Sequence, residues 1–87
     1  MELEECRKVI DSIDEQIVTL LNRRAAEVRK IARLKANNGV PPVDLDREKE
    51  VFKRIIAENN GYIPEASLLR IYARIIRESR KLQEALQ

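Results

Sequence analysis

Residues 3–36 read LEECRKVIDSIDEQIVTLLNRRAAEVRKIARLKA, and the spacing of their apolar side chains decides the fold. Leu3, Cys6, Ile10, Ile13, Ile17 and Leu20 recur three or four positions apart, which places them on one face of an α-helix. The same line continues through Arg24, Val28, Ile31 and Lys35, and nothing breaks it before Asn37, Asn38 and Gly39. The pattern predicts one very long helix over 3–36. At ~1.5 Å per residue it spans about 50 Å, whereas a compact globule of this chain length has a radius of gyration near ~12 Å. A single protomer covers such a rod poorly. The expectation is an elongated, all-α protomer completed by a partner chain.

Working outward, Pro41 and Pro42 follow the long helix, and Asp44 is a suitable N-cap for a second helix over 44–59. Gly61 and Pro64 mark a turn before a third helix over 65–86. With 87 residues, 37% charged and 44% hydrophobic, the chain fits one small helical domain over 1–87. The start of the chain carries Glu2, Glu4 and Glu5, the wrong charge for a signal peptide, and no apolar run approaches ~18 residues. A cytoplasmic protein is expected.

Composition also removes whole classes of chemistry. There is no histidine, which excludes Cys/His and Ser/His nucleophile arrangements, imidazole acid–base work and most transition-metal sites. The one cysteine, Cys6, lies on the apolar stripe and is expected as a buried hydrophobe. A net charge of +2 with interleaved signs gives no polyanion-binding face, so nucleic acid is not an expected partner.

What remains is a set of polar interruptions in the apolar stripes. Arg24 and Lys35 lie on the core line of the first helix. Glu48 lies on the line Leu45, Phe52, Ile55, and Ser79 and Gln83 lie on the line Leu68, Tyr72, Ile75, Leu86. Each residue alone has a plain structural reading: a snorkelling or ion-paired Arg24, Glu48 as its partner, Ser79 bonded back to a helix carbonyl, Gln83 at a wet edge. Together they are too much polarity for a purely structural core, because buried charge needs a partner or a ligand. Arg47 in the first turn of the second helix opposes the macrodipole, offset by Asp44 and Asp46, and fits either a surface or a ligand-facing role.

Arg24 and Lys35 are ~16 Å apart along the helix axis and within ~20° of one face, so their long side chains can flank one small molecule. Arg7 neighbours that stripe, beside Leu3 and Ile10, but lies ~25 Å from Arg24 and ~42 Å from Lys35 along the same rod. With the long helices of two chains antiparallel, Arg7 of one chain arrives beside Arg24 and Lys35 of the other. The cations suit carboxylates, Lys35 and Gln83 suit an oxygen that gains charge as a bond breaks, and Glu48 suits a substrate hydroxyl. No nucleophile or tuned base is required. The inventory fits a unimolecular rearrangement of a dianion, driven by conformational clamping and electrostatic stabilisation.

These residues, taken in order, resemble the all-helical class of chorismate mutases. The resemblance is carried by Cys6-Arg7-Lys8-Val9-Ile10, Ile13-Asp14, Leu20-Leu21-Asn22-Arg23-Arg24, Lys35, Asp44-Leu45-Asp46-Arg47-Glu48, Glu78-Ser79 and Gln83, and covers essentially the whole chain. It implies an intertwined homodimer of three-helix protomers that converts chorismate to prephenate on the route to phenylalanine and tyrosine, without cofactor or metal. It further implies that Arg24 and the partner chain's Arg7 clamp the substrate carboxylates and that Lys35 and Gln83 donate to the ether oxygen. Glu48, with the backbone at Asp44, would receive the ring hydroxyl, while Arg47 and Ser79 line the pocket. Two other readings fit the fold: an isochorismate pyruvate lyase, against which the Asp44 to Glu48 segment argues, and a non-catalytic helical dimerisation module whose charges pair across helices.

Overall fold

The computed structural model describes residues 2–85, which form α1 (Glu2–Asn37), α2 (Leu45–Glu58) and α3 (Glu65–Ala85). The expected spans of 3–36, 44–59 and 65–86 differ from these by a residue or two at the ends, except that Leu86 lies outside the described residues. Three helices and no strand among the described residues make the chain all-α.

The helix ends follow from local chemistry. At the end of α1, Gly39 takes a φ of 66°, a left-handed conformation that costs glycine no side-chain clash. This lets the Val40 N–H donate to the Lys35 carbonyl at 2.8 Å and the Gly39 N–H donate to the Ala36 carbonyl at 3.4 Å, the paired bonds of a Schellman cap. The chain is thereby turned back toward its own helix at Pro42. Asp44 caps α2, its Oδ1 accepting from the Arg47 N–H at 3.0 Å.

α3 is the element that joins the others: it packs on both α1 and α2, which do not pack on each other. The side chains that meet show its course. Arg24 and Lys35 of α1 reach Ser79 and Gln83, so α3 runs in the same sense as α1. Glu48 of α2 meets Arg80, and Ile55 shares a hollow with Tyr72, so α2 and α3 are antiparallel. Where the three converge, Val28, Ala32, Val51 and Ile76 are buried. Ala32 is fully enclosed, so an Ala32→Leu variant overpacks this junction and costs about 1 to 3 kcal/mol, read as a lower thermal midpoint at fixed protein concentration.

The first two-thirds of α1 has no such cover. Leu3, Ile10, Ile13, Ile17 and Leu20 retain 46 to 57% of their surface, and the chain extends 57 × 23 × 15 Å with a radius of gyration of 16.0 Å. Cys6, expected as a buried hydrophobe, is exposed, because none of the described residues of the other two helices packs against this part of α1. The uncovered face leads into an open apolar groove between α1 and α3, bounded by Ile17, Leu21, Ile71, Ile75 and Leu82. Among the described residues no helix is long and apolar enough to cross a membrane.

Candidate functional site

The later part of α1, the start of α2 and the last turns of α3 enclose a cavity of about 260 Å³. Arg24, Lys35, Asp44, Arg47, Glu48, Ser79 and Gln83 all line it, so residues up to 59 positions apart in sequence share one small space. Its apolar walls include Val28, Ile31, Val51 and Ile76. Arg7 is absent from the lining. It sits near the far end of α1, 63% exposed at its side chain, and pairs with Glu4 at 3.1 Å.

Each polar group is held by a neighbour in a way that leaves part of it free. Ser79, the one polar residue buried among those described, donates to the Ile75 carbonyl at 2.9 Å and accepts from the Arg24 guanidinium. With its proton committed to the backbone, the hydroxyl presents a lone pair to Arg24 and so fixes the guanidinium. Other N–H donors of the fork stay available to an anion.

Lys35 is aimed by the chain reversal after α1. Its Nζ donates to the Pro42 carbonyl at 2.9 Å and to Oε1 of Gln83 at 3.0 Å. An ammonium has three donors, so one remains. The bond also orients Gln83: its carbonyl oxygen faces Lys35, and its amide N–H groups are the free ones. Two donors from separate helices are thus paired on one wall.

Glu48 has a different setting from the one expected. Its carboxylate, 18% exposed, is met on both oxygens by Arg80, Nε to Oε2 at 2.8 Å and Nη2 to Oε1 at 2.5 Å. The same pair holds the Arg80 guanidinium above its ordinary pKa, through the hydrogen bond first and the charge second. Arg80 is the site neighbour that sequence reasoning missed. It follows Ser79 directly and is turned ~60° from Gln83 about the helix axis, flanking the inward line without lying on it. Reading the residues beside the line would have found it.

Arg47 and Asp44 combine the roles that the sequence left open. Arg47 lines the cavity but is 54% exposed at its side chain and bonds Glu50 at 3.3 Å. Asp44 lines it while its carboxylate caps α2. Glu27 and Arg54 complete the charged lining. With Arg80 behind Glu48, five cations (Arg24, Lys35, Arg47, Arg54, Arg80) face three carboxylates (Glu27, Asp44, Glu48), an excess suited to an anionic ligand. Every buried side-chain polar atom among the described residues has a partner, so the site is organised in advance of any ligand.

Comparison with known proteins gives a consistent result. The family model described as chorismate mutase type II matches residues 6–84. The chain is 37% identical over 90 residues to a bifunctional chorismate mutase/prephenate dehydratase of Aquifex aeolicus, covering 99% of this chain and 25% of that protein. It is 33% identical over 85 residues to a chorismate mutase of Methanocaldococcus jannaschii, covering 94% and 84% respectively. A solved chorismate mutase structure (Form II) from Thermus thermophilus superposes with a TM-score of 0.93 at 31% identity, covering 97% of this chain and 96% of that one. The chain spans about a quarter of the length of the bifunctional relatives it matches, 25% and 22%.

Proposed function

Since this chain belongs to the chorismate mutase type II family, we propose that it converts chorismate to prephenate, a step toward phenylalanine and tyrosine, in the cytoplasm. What carries the reading is the convergence of Arg24, Lys35, Glu48, Ser79 and Gln83 from three helices on one cavity of small-metabolite size.

The reaction is a Claisen rearrangement. The ether C–O bond of the enolpyruvyl side chain breaks while that side chain's terminal carbon bonds to the ring, and no atom is gained or lost. In this reading Arg24, fixed by Ser79, grips a substrate carboxylate through its remaining donors. The free proton of Lys35 and the amide of Gln83 converge on the ether oxygen, where negative charge builds as the bond breaks. Glu48 accepts from the ring hydroxyl, with the backbone at Asp44 beside it, and Arg47 closes that side of the pocket. The clamps hold the substrate in its chair-like reactive conformer, and the donors stabilise the charge that develops.

The second carboxylate is assigned to Arg7 of the partner subunit in an intertwined homodimer. Support comes from the uncovered apolar face of α1 and from the distance of Arg7 to its own chain's cavity. The expected result of sedimentation equilibrium is a species of twice the 10.1 kDa chain mass. A stable monomer at micromolar concentration contradicts the assignment.

Incubating the purified chain with chorismate and, separately, with isochorismate tests the chemistry. Saturable conversion of chorismate to prephenate is expected. Release of pyruvate from isochorismate with no prephenate from chorismate would assign the pocket to the lyase reaction instead.

A further inference from the structure

We propose that Arg80 is a positioning residue, acting on the substrate's ring hydroxyl through Glu48, whose carboxylate it both orients and neutralises. The inference rests on the reading of Glu48 given above.

The problem it addresses is electrostatic. Glu48 places a carboxylate on the wall of a cavity read as binding a dianion, and like charges repel at these distances. A cation must stand against it. Of the cations lining the cavity, Arg24 bonds Ser79, Lys35 bonds Pro42 and Gln83, and Arg47 bonds Glu50, while Arg54 makes no hydrogen bond to Glu48. Arg80 alone among the described residues is hydrogen-bonded to the Glu48 side chain, and it does so twice.

The geometry also fixes a direction. A carboxylate has about four lone-pair sites, and the side-on guanidinium fork takes one on each oxygen. The fork sets the plane of the carboxylate, so the remaining lone pairs point along defined lines. Arg80 is outside the cavity lining, with its side chain 40% exposed, and approaches Glu48 from behind. It touches the substrate nowhere in this arrangement: its charge offsets that of Glu48, and its geometric influence passes through that carboxylate. One stretch of α3 then serves three groups: Ser79 holds Arg24, Arg80 holds Glu48, and Gln83 is oriented by Lys35.

The competing account is a structural tie between α2 and α3. Steady-state kinetics with chorismate on the full chain, with thermal midpoints, separates the two for Arg80→Gln, Arg80→Lys, Glu48→Gln and the double Glu48→Gln, Arg80→Gln variant. Arg80→Gln is expected to raise KM about tenfold with a smaller change in kcat, and Arg80→Lys to recover part of that by restoring the charge and one bond. In the Glu48→Gln background, removing Arg80 is expected to change kcat/KM by less than about twofold. A loss of the same size with or without Glu48 would show that Arg80 acts independently of it and overturns the proposal. A structural tie, itself made through Glu48, predicts a lower midpoint and reduced kcat at unchanged KM. That pattern overturns the proposal, as does full activity in Glu48→Gln, which leaves Arg80 nothing to position. Absence of turnover by the unsubstituted chain overturns the chorismate reading itself, a failure distinct from either.

Discussion

Lys35→Ala is expected to lower kcat/KM for chorismate by about 10²- to 10³-fold, equivalent to about 3 to 4 kcal/mol of transition-state stabilisation. The size follows from where the charge develops. In the ground state the ether oxygen is a weak acceptor, so Lys35 contributes little to substrate binding there. As the C–O bond breaks, the same donor faces a partial anion inside a cavity with apolar walls, and the interaction strengthens. The loss should therefore appear mainly in kcat. Lys35→Arg should not restore activity, because a longer planar fork cannot occupy the position that Pro42 and Gln83 define for a single ammonium. A folded Lys35→Ala variant with near-normal turnover contradicts the role given to this residue.

Arg7→Ala is expected to lower kcat/KM by about 30- to 1,000-fold, the range for removing one partner of a desolvated charge pair at about 2 to 4 kcal/mol. Within a single chain no such effect has a cause. Arg7 is an exposed residue whose visible contact is a surface pair with Glu4, of a kind that contributes about 0 to 1 kcal/mol. A large loss of activity at unchanged thermal midpoint means that Arg7 meets the substrate somewhere other than in its own chain's cavity. A loss confined to stability would instead mark it as part of the dimer contact alone.

Much of this arrangement was legible in the sequence, for physical reasons that differ between parts. The long α1 could be read because a helical apolar period from Leu3 to Ile31, interrupted only by Arg24, is followed by a glycine able to take a left-handed conformation. Arg24, Lys35, Glu48, Ser79 and Gln83 could be read because a charge or amide on a core line is costly unless something meets it. Period analysis is blind to residues just off the line, which is how Arg80 was missed although it makes both bonds to Glu48. It is equally blind to backbone partners. The Pro42 carbonyl that aims Lys35 depends on the chain reversal at Gly39, and no side-chain pattern encodes that contact. Cys6 was misplaced for a related reason: the stripe predicts an apolar neighbour, but burial depends on which chain supplies it.

Mixing an Arg7→Ala chain with a Lys35→Ala chain, allowing subunits to exchange and following loss of chorismate tests the central claim, a rearrangement site shared between two copies, most directly. In each mixed dimer one site draws an intact Lys35 from one chain and an intact Arg7 from the other, while the second site lacks both. Random pairing makes half of the dimers mixed, so the account predicts recovery to about a quarter of unsubstituted activity from two nearly inactive parents. A mixture that stays at the average of its parents, although mass analysis shows mixed dimers, would contradict it.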